Sequence, residues 1–542
     1  ALPSLGRAFI GIGISLKIIK YYCELVYYAL MLNDTQQALR AHIQQLLANK
    51  QLNDAHHLLV QRLKQNPEDH VCYFLLSEVN TAAGDITKAI KLLEKALSLA
   101  PFAVYHLALA KLYVLLGKVS NAAVHYQSAL QTAGFSGADF DTLANIATRL
   151  GHYDDALSFQ QAAYQRNKDN PQISYNLAVC YKIHGLFDEA KSLLQQLTTK
   201  QPSFYQAHYS QAELNTVIDA EQHIQKLQAL ADKEKSIVEQ QVYFHSLALN
   251  YEHLNDYKNT FKYFALSKQA IAGKLNYQAS QHHHFCQKLI TQSKQQAPAS
   301  SDSEFSPVFV VGMPRSGTTL VEKILNQSTQ LQGVGELNDI AQLIQDATQS
   351  ARVIDSEMLD KAYESEAIKT ALANYQQRAE LLSDGLRSCD KQPFNFYYID
   401  FILAAFPNAK IVCMQRGWQD CSIANFRQMY SPQSVFHHYS FTLEDIASFH
   451  QDYSALVSHF ANKYPENVFL QSYERLVAEP TQQTQKLYAF CDLSWQENCL
   501  TFYKSNAASA TASKKQIRQP LNKNSIDSWQ NYADFIDAGL FQ

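Results

Sequence analysis

Arg315, Ser316, Gly317, Thr318 and Thr319 are the residues whose types and spacing most clearly carry chemistry. They follow Pro307-Val308-Phe309-Val310-Val311 and the turn Gly312-Met313-Pro314, and they lead into 320–326, where apolar residues recur at helical spacing. An apolar β-branched run of this kind forms a buried parallel strand. Strand, glycine-bearing loop and helix N-terminus together aim backbone N–H groups and a positive helix end at an anion, so this stretch reads as a phosphate site. A phosphate-loop nucleotidase carries a lysine directly after its second glycine. Here Thr318 stands there, and the cation is Arg315, two residues before that glycine. A planar guanidinium suits the place because it holds two oxyanion oxygens at once. Further on, Phe406-Pro407-Asn408-Ala409-Lys410-Ile411-Val412-Cys413-Met414-Gln415-Arg416 reads as a second buried strand. Its C-terminal edge presents Arg416, a usual ligand position in an open α/β sheet.

The loop resembles the 5′-phosphosulfate loop of sulfotransferases, in which a Lys or Arg precedes Ser-Gly-Thr-Thr. Gly333-Val334-Gly335-Glu336-Leu337, with Glu336 21 residues beyond Arg315, and Asp390-Lys391-Gln392-Pro393-Phe394-Asn395 extend the likeness. Over roughly 307–532 the chain is similar to the repeat-bearing bacterial sulfotransferases and, more distantly, to the tyrosylprotein sulfotransferases. The resemblance implies direct, in-line transfer of a sulfuryl group from 3′-phosphoadenylyl sulfate to an acceptor hydroxyl, with no metal required. It places Arg315, Ser316, Gly317, Thr318 and Thr319 on the 5′ side of the donor, Arg416 on its 3′-phosphate, and Tyr473 near the adenosine. It makes Glu336 the base for the acceptor proton, with Lys391 and Ser513 stabilising the departing bisphosphate. Lys514, Lys515 and Arg518, in a closing loop that Trp529 packs down, supply further positive charge. The chain departs from the pattern at Trp418, where proline is usual, and at Ala424, where a serine normally donates to the 3′-phosphate. It departs again at Ser528, where tyrosylprotein sulfotransferases place a lysine. Ser422 lies about 200° around the helix from Ala424, which leaves Asn425 or Arg427 to compensate.

Ahead of this region the sequence repeats. Gly84, Gly117, Gly151 and Gly185 are spaced by 33, 34 and 34 residues, and each is followed five residues later by Ala89, Ala122, Ala156 or Ala190. Lys50 with Ala55 and Asn255 with Thr260 hold the same register. A helix, a turn at the glycine and a second helix with a small alanine for close approach account for that spacing. Over 34–267 it resembles the tetratricopeptide repeat, with a departure around 218–235. Stacked pairs leave a concave surface fitted to a peptide or protein.

The expected architecture is a 1–33 apolar segment or capping helix, tetratricopeptide-like repeats over 34–291, a linker over 292–306 rich in Gln, Ser and Ala, and a three-layer α/β/α sulfotransferase domain with a mostly parallel sheet over 307–542. A length of 542 residues accommodates about two to four domains. The 46 Lys and Arg against 50 Asp and Glu exclude a broad nucleic-acid surface. Nine scattered cysteines with no Cys-x-x-Cys pair point to a reducing, cytoplasmic setting. The apolar run 8–16 is too short to span a bilayer. Three adjacent residues on a helix point in different directions, so His282-His283-His284 is a poor metal site; His437-His438 is ambiguous. No Ser/His/Asp order of a hydrolase emerges. The acceptor stays open between a protein or peptide tyrosine delivered by the repeat arm, a glycan, a lipid and a small-molecule hydroxyl. Homodimerisation, a non-catalytic scaffold with a degenerate sulfotransferase domain, and an ATP-dependent kinase, which Thr318 disfavours, are the other readings.

Overall fold

The computed structural model describes residues 34–131, 137–215, 219–231, 235–296, 298, 300–350, 352–504, 516–537 and 540; the 1–33 segment and Ser513, Lys514 and Lys515 lie outside these. By packing, the chain divides into two units, Ala1–His184 and Gly185–Gln542.

The first unit is a succession of antiparallel helices from Asp34–Ala48 to Pro171–His184. A helix that must reverse within two or three residues needs a left-handed residue at the turn. Gly84, Gly117 and Gly151 supply it with φ of 86°, 72° and 85°. Lys50 takes the same conformation at φ 58° without being glycine, which confirms that it occupies the repeat's turn. Ala55, Ala89, Ala122 and Ala156 are at most 2% exposed. Their missing side-chain volume is what lets paired helices touch. Asp69 and Asp85 cap the next helices by accepting from the N–H groups of Cys72 and Lys88.

The second unit begins with further pairs in the same register. Gly185 and Asn255 are again left-handed, and Ala190 and Thr260 again fully buried. The departure around 218–235 corresponds to a short helix, Tyr205–Leu214, that stops at left-handed Asn215 before Ala220–Ala231. After these come β1 (Val308–Gly312), β2 (Leu331–Gly335), β3 (Arg387–Asp390), β4 (Lys410–Gln415) and β5 (Val468–Ser472). They form one sheet in the order β2-β3-β1-β4-β5, every pair parallel. Val308, Val310, Val412 and Met414 face Val321, Ile324, Leu476 and Leu487, while Phe309, Val311, Ile411 and Cys413 face Ile340, Tyr375, Phe449 and Leu456. Alternate residues thus bury on opposite faces, and the domain has three layers, α/β/α.

The core on the second face continues into Ala248, Leu249, Phe264, Phe285 and Leu289 of the helices Ile237–His253, Tyr257–Ala272 and Ala279–Gln295. Packing therefore unites the last repeat-like helices with the sheet. Residues of the 292–306 stretch join in, since Ser301 donates through N–H to Ala404 O at 2.8 Å and through Oγ to Ala405 O at 2.6 Å. No helix among the described residues is long and apolar enough to cross a membrane.

If the repeat alanines are contact points, enlarging one must force paired helices apart. Ala156→Leu is expected to destabilise by about 1–3 kcal/mol, read as a lowered midpoint in urea unfolding followed by circular dichroism.

Candidate active site

Each of the five parallel strands hands over a candidate residue within three positions of its C-terminal end: Arg315 after β1, Glu336 after β2, Lys391 after β3, Arg416 after β4 and Tyr473 after β5. Chain connections leave β1 and β4 in opposite directions along the sheet, β1 toward β2 and β4 toward β5. The crevice between them is the topological switch point, where open α/β sheets bind ligands.

At that crevice the β1 loop and Arg416 meet directly. Arg416 Nη1 donates to Arg315 O at 2.8 Å, and its guanidinium lies 4.8 Å over the ring of Tyr473. Arg315 is left-handed at φ 69°, which costs a non-glycine residue roughly 1–2 kcal/mol. The bond to its carbonyl helps hold it there. Its side chain is half-buried, and desolvation, followed by the repulsion of Arg427 and Arg416, pushes its pKa down, while Tyr430 opposes the shift. Gly317, at φ 106°, caps the helix Thr318–Leu325 with no side-chain hydrogen bond, leaving the first-turn N–H groups to a ligand. A Cβ on Gly317 would stand 2.7 Å from Tyr473 Cδ2, so only glycine lets the ring close on the loop. Ser316 Oγ and Arg416 Nε are buried with no hydrogen-bond partner among the described residues. Buried polar atoms are normally satisfied, and a multiply charged oxyanion provides acceptors of the kind these donors lack.

On the β2–β3 side, Lys391 Nζ pairs with Glu336 Oε1. The lysine side chain is 1% exposed and the glutamate 46%. The cation is thus fixed in the interior while the carboxylate remains open to an entering group. Asp390 sets the register of this pair. It is fully buried and accepts from Leu337 N–H at 3.3 Å and from Tyr375 OH at 3.1 Å. Desolvation pushes its carboxyl up to about 8. Glu322, on the loop's own helix, escaped the sequence reading. It is buried, and desolvation raises its pKa against the opposing attraction of Lys391 and Lys323. Its spacing of one turn from Thr318 put it on the loop-facing side of the helix and was the available signal.

The offered substitutes for the missing serine at Ala424 are otherwise engaged. Asn425 Nδ2 donates to Pro314 O at 2.8 Å and to Cys421 O at 2.9 Å, and its Oδ1 accepts from Tyr430 and Tyr439, so it braces the loop after β1 from behind. Arg427 forms a two-pronged ion pair with Glu252 of the helix Ile237–His253. Ser528 donates to Asp420 at 3.0 Å, and Asp420 also accepts from the N–H groups of Asp527 and Trp529, which anchors this tail beside β4. Ser525 O completes the anchor by accepting from Arg416. Arg518 lies 5.8 Å from the ring of Phe187 and against Gly185, at the margin of the cluster, where its charge reaches Lys323. The expected partners Ser513 and Lys514 are outside the described residues. His282 and His283 do converge, on Asp452: His282 donates through Nδ1 at 2.8 Å and accepts from Tyr397 OH at 2.7 Å, and His283 donates through Nδ1 at 2.6 Å.

Residues 307–497 match the Sulfotransferase family, and residues 46–112 and 147–214 match the Tetratricopeptide repeat. The chain carries tetratricopeptide repeats followed by a sulfotransferase-family domain. An uncharacterized protein of Aquifex aeolicus (strain VF5) is 27% identical over 364 residues, which cover 65% of this chain and 47% of that one. Protein-tyrosine sulfotransferase A of Caenorhabditis elegans is 22% identical over 236 residues, 41% of this chain and 60% of that one. The chain thus spans less than two thirds of either relative. The solved sulfotransferase domain of the Synechococcus PCC 7002 olefin synthase aligns with a TM-score of 0.31 at 16% identity, covering 43% of this chain and 91% of that domain.

Asp390 gives the site a pH signature. Its folded-state pKa, about 8, lies above the ordinary value of about 3.9. Between the two the folded protein binds more protons than the unfolded one, so this carboxyl makes stability fall as pH rises from about 4 to about 8 and adds no slope beyond. Asp390→Asn keeps an acceptor for Leu337 and is expected to flatten the decline in urea midpoints measured from pH 5 to pH 8. An unchanged slope would exclude Asp390 as its source.

Proposed function

We propose that this protein transfers a sulfuryl group from 3′-phosphoadenylyl sulfate to an acceptor hydroxyl by direct in-line displacement. The observation that carries the reading is the convergence on one sheet edge of an anion-binding loop, a strand-end guanidinium and a buried lysine paired with an accessible carboxylate. Glu336 takes the proton as the acceptor oxygen attacks sulfur. The bond between sulfur and the 5′-phosphate oxygen breaks as the new oxygen–sulfur bond forms, and the sulfate ester and adenosine 3′,5′-bisphosphate leave. Lys391 offsets charge building on the departing phosphate oxygen, a role suited to a cation held in low dielectric. Arg315, Ser316, Gly317, Thr318 and Thr319 hold the 5′ side, Arg416 the 3′-phosphate, and Tyr473 packs beneath the Arg416 guanidinium near the adenosine. Ser513, Lys514 and Arg518 complete the donor's cover by resemblance alone.

A tyrosine of a protein or peptide is the acceptor we favour. The tyrosine sulfotransferase relative and the repeats, a fold suited to extended peptides, support it. The eight described cysteines, all free and buried, suit a reducing compartment. One observation favours a second reading, a binding scaffold without turnover: Ala424 removes a phosphate donor, and Asn425 and Arg427 are committed elsewhere.

Thermal shift with adenosine 3′,5′-bisphosphate against ATP separates donor specificity. Selective stabilisation by the bisphosphate is expected; a response to ATP alone would instead mark a kinase, and a response to neither the scaffold. Arg416→Ala is expected to weaken bisphosphate binding about 10- to 100-fold while changing adenosine 5′-phosphate binding little, since a charged hydrogen bond contributes about 1.5–3 kcal/mol. Glu336→Gln should lower kcat by about 10²- to 10⁴-fold with bisphosphate affinity retained by calorimetry. Normal turnover in that variant would remove Glu336 as the base.

A further inference from the structure

Lys268, on the helix Tyr257–Ala272, is 2% exposed, and among the described residues no carboxylate pairs with it. Its ammonium donates to Gln428 O at 2.8 Å and lies 4.9 Å, 5.7 Å and 6.0 Å from the ring centres of Phe441, Tyr430 and Phe426. Burial lowers its pKa to about 7. Three aromatic faces and a carbonyl attract a desolvated ammonium, yet a buried lysine still costs stability that an apolar chain of equal length would spare. Packing alone therefore gives no reason for a lysine here.

The neighbours of this ammonium supply one. Tyr430 stacks on His437 with ring centres 4.2 Å apart and donates to Asn425 Oδ1 at 3.1 Å, and Asn425 in turn holds Pro314 of the phosphate loop. Phe394 meets His437 edge-on at 5.1 Å, and Ser434 Oγ lies 2.8 Å from His437 Nδ1. Phe394 stands three residues beyond Lys391, the partner of Glu336, so its edge-on contact ties this stack to the side of the carboxylate that remains open. Lys268 sits behind it.

We propose that Lys268 is a positioning residue for the acceptor: from a repeat-like helix it fixes the Tyr430–His437 stack that flanks the approach to Glu336. The proposal rests on the sulfuryl-transfer reading only for the role of Glu336. Its readout is His437. Desolvation brings that imidazole down to about 4; Glu336 opposes the shift, and Lys268 and His438 add to it. Removing the ammonium must therefore raise the His437 pKa, whereas keeping a cation must not.

The test follows the His437 ring resonances of the full chain, labelled with ¹³C-histidine and assigned with His437→Gln. Lys268→Met is expected to move the His437 titration to higher pH and Lys268→Arg to restore it, with bisphosphate affinity equal in all three proteins. Should Lys268→Met fail to fold, Lys268→Gln, which can still donate to Gln428 O, carries the same expectation. A His437 titration unmoved by loss of the cation overturns the proposal, and so does a bisphosphate affinity that falls with it, which would make Lys268 a donor-side residue. With 4-nitrophenyl sulfate as sulfuryl source and the bisphosphate as recipient, KM for the aryl sulfate should rise about tenfold in Lys268→Met while KM for the bisphosphate stays. A wild-type protein that ignores the bisphosphate sinks the sulfuryl-transfer reading, and the titration alone then decides whether Lys268 governs the stack.

Discussion

The site exists because five strands run the same way. Parallel pairing sends every strand's C-terminal end to one edge, and right-handed crossovers return the chain to start again on the other. Residues separated by as many as 158 positions, Arg315 and Tyr473, then need only stand one to three places beyond a strand to share a crevice. Reversing a single strand would send its residue to the opposite edge. The same requirement explains the uninterrupted apolar runs at β1 and β4, since helices cover both faces and neither can be polar.

Within the crevice the cations are placed at different depths. Lys391 is sealed in, Arg416 is gripped by two backbone carbonyls, and Arg315 is half-buried in a strained backbone conformation. Holding them in this way removes most of the reorganisation that a flexible surface lysine would undergo on meeting an anion. Glu336 differs by design of position: it sits at the sheet's edge strand, paired on one side and open on the other.

What could be read from the sequence was local. The 34-residue spacing identified the turns so well that Lys50 and Asn255 were placed in register although neither is glycine, and both take the left-handed conformation. The strand, turn and helix around Gly312 and Gly317 were equally legible because they are contiguous. Glu322 was hidden by the same contiguity, since helical spacing marks a face but not whether a later strand will seal it. The fates of Asn425 and Arg427 were illegible because their partners lie 111 and 175 residues away. Periodicity also marks repeats without saying which of them the sheet will claim.

Within the second unit, long-range contacts join the repeat-like helices to the sheet-bearing domain. Arg427 needs Glu252, Tyr532 donates to the same carboxylate at 2.5 Å, and Phe261 packs 5.7 Å from Phe426. A fragment starting at residue 307 would strand a guanidinium in an apolar setting and bare the rings that now lean on the repeat-like helices. The sheet-bearing domain is therefore not a module with helices appended; its outer layer is borrowed from the repeat-like helices, and the smallest autonomous piece of this fold must begin well before its first strand.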